Sequence, residues 1–184
     1  KCLKEINPEI IIHCAALVNV DTCEQEKDYA LQLHSEIIKL IPIHAPASKL
    51  IYISTDSVFD GVQGGYTESD IPNPVNYYAK SKYEGERNTL NLVKNSIVIR
   101  TNIYGFHFQE QTSLAEWALD NLKQGKKISG FTDVYFNPVY TKQLADTLYK
   151  LILKKFSGII HVASDNFISK HNFLVEIAKV FGYN

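Results

Sequence analysis

The sequence predicts an α/β fold built on a parallel sheet with flanking helices. Short apolar runs rich in β-branched residues alternate with amphipathic helical patterns, which is typical of βαβ units. Four strands are predicted on this basis, with a shorter one at Lys127–Phe131: Glu9–Ala16, Lys49–Ser54, Ser96–Arg100 and Gly158–Ala163. The first two are expected to be buried on both faces, as strands of parallel sheets usually are.

Helical periodicity accounts for most of the chain between these strands. The predicted helices are Lys1–Asn7 (the end of a helix), Asp21–Ile43, Asn76–Asn91, Ser113–Lys123, Thr141–Phe156 and Ser169–Phe181. Asp21, Thr141 and Ser169 are candidate N-caps. Pro42 predicts that the regular part of the second helix ends near Leu40, because proline cannot donate the backbone hydrogen bond.

Composition and charge exclude several classes of protein. The 184 residues carry a net charge of −1, which gives no electrostatic reason to expect nucleic-acid or anionic-membrane binding. No apolar run approaches the roughly 20 residues of a membrane span. The three cysteines lack the spacing of a disulfide framework or a zinc site, so no metal site is predicted and a reducing cytoplasm is expected. Cys14 is expected to be a small buried hydrophobe.

Small or polar residues stand at the ends of three predicted strands. Ala15-Ala16 ends the first, Ser54-Thr55-Asp56 completes the second, and Thr101-Asn102 follows the third. The carboxyl ends of parallel strands share one edge, where ligands bind, so these segments are expected to converge on a site. His34, on the second predicted helix, is expected to be packed or solvated rather than part of that site.

The strongest chemical signal is a tyrosine and a lysine one helical turn apart. Tyr78 and Lys82 stand at i and i+4 and share a helix face. A nearby ammonium group should lower the high pKa of a tyrosine, and the Thr55 hydroxyl can donate a hydrogen bond. Together the three could polarise a carbonyl and protonate its oxygen while hydride arrives at carbon. By itself, this spacing more often marks an exposed pair on a helix surface. Two features strengthen the catalytic interpretation: the preceding Ser-Thr-Asp, and a glycine- and proline-rich loop over residues 60–75.

Longer motifs are far more specific than this spacing. They are His13-Cys-Ala-Ala16, Ser54-Thr-Asp-Ser-Val-Phe-Asp-Gly61, Tyr78-Ala-Lys-Ser-Lys82 with Glu84-Gly-Glu86, Arg100-Thr-Asn-Ile-Tyr-Gly105, Asn137-Pro-Val-Tyr140 and Gly158-Ile-Ile-His-Val-Ala-Ser164. On these motifs the chain resembles the extended short-chain dehydrogenase/reductases. Among them it is most similar to the dTDP-4-dehydrorhamnose reductases and their sugar-nucleotide relatives. The resemblance implies a Rossmann-like, doubly wound parallel sheet.

The same resemblance implies roles for particular residues. Thr55, Tyr78 and Lys82 would be catalytic: Thr55 would hydrogen-bond the reacting carbonyl and Tyr78 would give a proton to its oxygen. Lys82 would bind the nicotinamide ribose and tune Tyr78. Asp56 and Ile103 would join Thr55 in binding substrate, although Asp56 could serve only as a turn former. Ile103 stands where the reductases often place a tryptophan against the sugar, which leaves the substrate's identity open.

The implied cofactor is NADPH or NADH. Cys14, Ala15 and Ala16 would pass close to the dinucleotide, and Tyr78 and Lys82 would contact its nicotinamide end. Packing alone would also explain small side chains in the first segment. The implied activity is NAD(P)H-dependent reduction of a 4-keto group on a nucleotide-linked deoxysugar, in nucleotide-sugar or surface-polysaccharide biosynthesis.

The glycine-rich turn that cradles the cofactor's pyrophosphate in this family has no counterpart here. The sequence also has no methionine. We therefore expect residues 1–184 to be one incomplete NAD(P)-binding Rossmann-like domain that lacks its N-terminal strands. Its substrate-binding elements would be interleaved, mainly at 60–75 and 105–184. This segment alone should bind cofactor weakly and be inactive, which micromolar NAD(P)H binding in a titration would contradict.

Other functions remain open at the level of sequence. Dehydratases of the superfamily usually carry a carboxylate pair after the catalytic Ser or Thr, whereas Thr55 is followed by Asp56 and Ser57, which favours simple reduction. The regulatory subunit of methionine adenosyltransferase shares the same motifs, so a non-catalytic binding role is the main alternative. A segment kept only for structure is the third. The resemblance is also compatible with a homodimer through the helices predicted at Asp21–Ile43 and Asn76–Asn91.

Overall fold

The computed structural model describes residues 2–107 and 113–183. Residues 108–112, which belong to the range expected to bind substrate, lie outside the described residues, as do the first and last residues of the chain. The chain divides into two compact units. One consists of Lys1–Arg100 and Leu151–His161, and the other of Thr101–Lys150 and Val162–Asn184.

Strands and helices alternate along the described residues. The strands are β1 (Ile10–His13), β2 (Lys49–Thr55), β3 (Ile97–Tyr104), β4 (Tyr135–Phe136), β5 (Pro138–Tyr140), β6 (Gly158–His161) and β7 (Ile168–Ser169). The helices are α1 (Cys2–Ile6), α2 (Val20–Gln25), α3 (Lys27–His34), α4 (Ile41–His44), α5 (Tyr77–Leu92), α6 (Leu114–Lys123), α7 (Thr141–Leu153) and α8 (Lys170–Val180). Single 3₁₀ turns form at Glu36–Leu40 and Asp56–Val58.

A parallel sheet forms the centre of the first unit. β1 pairs in parallel with β2, which neighbours β3, and residues 97–100 of β3 pair in parallel with β6. The sheet and its helices enclose a core made of Ile38, Ile41, Leu50, Tyr52, Val93 and Val98. The predicted α/β class, with a parallel sheet and flanking helices, is confirmed.

The second unit has its own core. Residues 102–104 of β3 pair in parallel with β5, and β4 pairs antiparallel with β7. Helices α6 and α8 pack around Phe136, with Ala115, Ala118, Leu119, Phe173, Leu174 and Ile177 completing this core. The strand predicted at Lys127–Phe131 is wrong, because that segment has no regular structure. β4, β5 and β7 went unpredicted because two or three residues are too few to show a strand period.

The helix predicted over Asp21–Ile43 is the largest error. It breaks at Glu26 and at Ser35, whose backbone angles are not helical, and α2, α3, a 3₁₀ turn and α4 replace it. The cap is Asn19, whose side chain accepts a hydrogen bond from Thr22 N at 2.8 Å, rather than Asp21. Pro42 lies in the first turn of α4, where a missing N–H costs nothing.

Strand β1 is shorter and less buried than predicted. It covers Ile10–His13 only, and Ile12 is 45% exposed. Cys14, expected to be buried within this strand, lies after its end and is exposed. The expectation of burial therefore fails because the small residues 14–16 follow the sheet instead of belonging to it.

Candidate active site

Thr55 ends β2 and begins the 3₁₀ turn of residues 56–58. Its side-chain oxygen accepts a hydrogen bond from Ser57 N at 3.1 Å and donates to Asp56 Oδ1 at 3.2 Å. This is an N-cap, which fixes the rotamer of the hydroxyl. The predicted position of Thr55 at the carboxyl end of a buried strand is confirmed.

Tyr78 lies in the first turn of α5. Asn76 caps this helix by accepting from Ala79 N at 2.9 Å, so the first turn is held in register. The Tyr78 phenol lies near enough to the Thr55 hydroxyl for that hydroxyl to lower the Tyr78 pKa. The structure thus brings together the residues predicted to meet the reacting carbonyl.

The protonation of Tyr78 differs from the sequence prediction. Burial raises the pKa of Tyr78, the neighbouring Thr55 hydroxyl lowers it only in part, and the negative charge of Asp56 raises it further. A lowered pKa through Lys82 was expected. That expectation fails because the desolvation of the phenol dominates. Tyr78 therefore carries its proton throughout the neutral range.

Lys82 is buried one turn further along the same helix face. Its ammonium donates to the Ile53 carbonyl at 2.5 Å and lies 4.3 Å from the centre of the Tyr52 ring. Burial lowers the pKa of Lys82 to about 8, although the charges of Glu86 and Cys14 raise it. An exposed surface pair, the default interpretation of the Tyr-Lys spacing, does not describe this site.

Residues 14–16 follow β1 close to Lys82. Cys14 and Ala15 are exposed, and Ala16 is half-buried. Cys14 and Lys82 are near enough to perturb one another electrostatically. A segment of small, accessible residues beside a buried ammonium fits the passage of a dinucleotide, since small side chains let the backbone approach it closely.

One histidine and one serine connect this segment to α5, and sequence reasoning missed their connection. Leu17 N donates to His34 Nε2 at 2.9 Å, so the other ring nitrogen, Nδ1, carries the proton of the neutral ring. Nδ1 then donates to Ser81 Oγ at 2.8 Å, and Ser81 Oγ donates to the Tyr78 carbonyl at 2.9 Å. The prediction that His34 is packed is confirmed. Its contacts nevertheless tie residue 17 to the helix of Tyr78, and no sequence pattern indicates this.

Gly85 is required where α5 crosses β2 and α3. A Cβ at this position would clash with the hydroxyl of Tyr52 and with the backbone oxygen of His34. The Tyr52 hydroxyl itself donates to that oxygen at 2.8 Å. Because Gly85 has no Cβ, α5 can pack closely against the sheet.

Hydrogen bonds within the loop of residues 60–75, and one ring contact with Phe59, hold this loop in place. Asp60 accepts from Val62 N, from the Tyr66 hydroxyl and from Asn73 Nδ2, and these hydrogen bonds lower its pKa to about 2. The Tyr66 ring stacks on Phe59 at 4.4 Å. The prediction of a loop is confirmed, and the loop is internally braced.

Ile103 belongs to the second unit. It lies in β3 opposite Val139 of β5 and is 42% exposed. The structure therefore places Thr55, Asp56, Tyr78, Lys82 and Cys14 within the first unit. It leaves the proposed contact of Ile103 with substrate as a prediction.

A parallel α/β unit that brings a strand-end threonine to the tyrosine of a Tyr-xxx-Lys helix has the arrangement of an extended short-chain dehydrogenase/reductase. The family model described as the RmlD substrate binding domain matches residues 1–184. The chain belongs to this family.

Known relatives agree with this assignment. The dTDP-4-dehydrorhamnose reductase of Bacillus anthracis, solved in complex with NADP, matches with a TM-score of 0.92 and 32% identity over 100% of this chain and 66% of that one. Methionine adenosyltransferase 2 subunit beta of Danio rerio is 30% identical over 97% of this chain and 58% of its own length. The probable low-salt glycan biosynthesis reductase Agl14 of Haloferax volcanii is 28% identical over 98% and 62%. The chain thus spans less than two thirds of these curated relatives.

Proposed function

We propose that the protein containing this chain is an NAD(P)H-dependent reductase of a 4-keto group on a nucleotide-linked deoxysugar. The observation that carries this proposal is the buried ammonium of Lys82, one turn along α5 from a Tyr78 phenol that lies beside the Thr55 hydroxyl. A similar protein from Bacillus anthracis is a dTDP-4-dehydrorhamnose reductase solved with NADP. That likeness supports NADPH as the cofactor and a sugar nucleotide as the substrate.

The residues divide the chemistry among them. NADPH supplies the hydride when it is bound. Thr55 holds the keto oxygen by a hydrogen bond, and Tyr78 transfers its phenolic proton to that oxygen as the carbonyl carbon becomes a CH–OH centre. The raised pKa of Tyr78 suits this direction, because a proton donor must enter the reaction protonated. Lys82 stabilises the phenolate that remains until it regains a proton from solvent.

The surroundings of the triad fit the remaining roles. Cys14, Ala15 and Ala16 would line the dinucleotide, and Lys82 would bind the nicotinamide ribose. Asp56, which adjoins Thr55, would contact the sugar with Ile103. As part of the same proposal, the protein works in the cytoplasm. A homodimer through α5 and the helices of residues 20–44 is also compatible with it. No helix of the described residues is long and apolar enough to cross a membrane.

The test is a reductase assay on the full-length protein. NADPH oxidation is followed at 340 nm with a dTDP-4-keto-6-deoxysugar as substrate, and the 4-hydroxy product is identified by mass. Stoichiometric NADPH loss and product would support the proposal. No turnover with any 4-keto sugar nucleotide, by a protein shown to bind NADPH, would overturn it.

A regulatory role is the second candidate, and the similarity to methionine adenosyltransferase 2 subunit beta favours it. It predicts a stable complex with a methionine adenosyltransferase catalytic subunit and no sugar-nucleotide turnover. Co-elution of the two purified proteins, measured beside the reductase assay, separates the two functions.

A further inference from the structure

Helix α5 carries a third residue at the spacing of the catalytic pair. Tyr78, Lys82 and Glu86 stand at i, i+4 and i+8, so they follow one helix face. The proposed reaction uses the first two. The side chain of Glu86 is almost wholly buried. Because burial disfavours the charged form of a carboxylate, a charge at this position requires stabilising partners and suggests a specific role.

The contacts of Glu86 fix it to two strands. Ser54 Oγ donates to Oε1 at 2.5 Å. Arg100 Nε lies 3.1 Å from both carboxylate oxygens, and its Nη2 donates to Oε2 at 2.8 Å. Ser54 immediately precedes Thr55 at the end of β2. The carboxylate therefore ties α5 to the strand that delivers Thr55 and to β3, in a geometry that a bidentate arginine makes rigid.

Lys82 depends on a nearby negative charge. Its direct partners are a carbonyl and an aromatic ring, neither of which carries a full charge. Within the described part of the chain, the titratable groups near Lys82 on β1, the segment after β1, α3, β2 and α5 include His13, Cys14, His34, Tyr52, Tyr78 and Glu86. Of these, Glu86 is the carboxylate.

We propose that Glu86 is a positioning residue, held by Arg100 and Ser54, whose carboxylate keeps the Lys82 ammonium charged inside the site. The role of Lys82 in turnover rests on the proposed reductase function, whereas its charge state does not. Glu86 touches neither substrate nor cofactor in this account. It acts through Lys82 and through the placement of α5 against β2.

The test compares two carboxylates of the same helix. Glu86→Gln keeps the size of the side chain and removes its charge. Glu84→Gln makes the same change two residues away, where the side chain is 46% exposed and pairs with Arg87. Lys82 is followed by NMR titration of its ¹³Cε signal in the full-length protein, with a Lys82→Met variant to assign the signal.

Glu86→Gln should lower the Lys82 pKa from about 8 by at least about half a unit, and Glu84→Gln should leave it in place. The alkaline limb of the kcat/KM profile for NADPH oxidation should move to lower pH by the same amount. An unchanged Lys82 titration in Glu86→Gln would overturn the proposal, as would a shifted titration with an unmoved alkaline limb. If the wild-type protein turns over no sugar nucleotide, the reductase function fails while the titration still decides the role of Glu86.

Glu86→Gln leaves Arg100 as an unpaired buried charge, and a second variant keeps the proposal testable if this prevents folding. Glu86→Gln/Arg100→Gln eliminates both charges, and replacing a whole buried pair is often tolerated. Lys82 should again titrate at lower pH in the double variant, by less than in Glu86→Gln, because loss of the Arg100 cation offsets part of the loss of the carboxylate. A wild-type titration there would overturn the proposal.

Discussion

Glu84 and Glu86 stand two residues apart on α5 and have opposite surroundings. Glu84 pairs with Arg87 at 2.9 Å, with about half of each side chain exposed. Glu86 pairs with Arg100 at 2.8 Å, with 1% and 3% of the side chains exposed. Water screens the first pair and is excluded from the second. A glutamate carboxylate is thus a solvated surface charge on one face of α5, and on the other face it holds the helix to β2 and β3.

The largest difference is expected when each arginine is removed. Arg100→Ala leaves Glu86 buried without its partner, which should cost about 3–5 kcal/mol of unfolding free energy. Arg87→Ala breaks an exposed pair and should cost less than about 1 kcal/mol. Urea denaturation followed by circular dichroism measures both. Equal costs for the two variants would break the comparison.

A smaller effect should appear at His34, which holds the buried face of α5 through Ser81 at 2.8 Å. Burial lowers its pKa to about 4, with Lys82 and His13 contributing. In the unfolded chain His34 is protonated as the pH falls below about 6.5, whereas in the folded protein it is protonated only near pH 4. The contribution of neutral His34 is therefore complete above pH 6.5 and is lost progressively between pH 6.5 and 4, by about 3 kcal/mol.

The measurement compares wild type with His34→Gln by urea denaturation at several pH values. The stability advantage of the wild type should shrink as the pH falls through that window, because the variant lacks the titrating group. An advantage that is constant from pH 7 to pH 4 would show that His34 does not stay neutral in the folded protein.

Helix α5 also shows how far sequence reasoning reaches. Its extent was predicted to within a residue, since Asn76 caps it and no break interrupts it. The end of β2 was predicted to within a residue from its apolar run, which is why Thr55 could be placed at the carboxyl edge of the sheet. The end of β3 was not, because this strand continues from its predicted end at Arg100 to Tyr104. Tyr78 and Lys82 were proposed from spacing and motif, whereas the burial of Lys82 was not predicted.

Features that depend on tertiary contacts escaped prediction. The break at Ser35 lies beside His34, which contacts Leu17, Ser81 and Tyr52. Hydrophobic periodicity does not reveal such tertiary contacts. The pairing of Glu86 with Arg100 joins residues that only the sheet places together. The pKa of Tyr78 was predicted in the wrong direction because its degree of desolvation cannot be obtained from spacing.

The central claim is that Tyr78 donates its proton to the keto oxygen of the substrate, and a variant of the neighbouring Tyr77 serves as the control. Tyr78→Phe removes the hydroxyl beside Thr55, whereas Tyr77→Phe makes the same change one residue earlier, where the ring contacts Lys27. With a 4-keto sugar nucleotide and saturating NADPH, Tyr78→Phe should lower kcat at least about 100-fold, and Tyr77→Phe should keep the wild-type rate. A wild-type kcat in Tyr78→Phe would contradict the account.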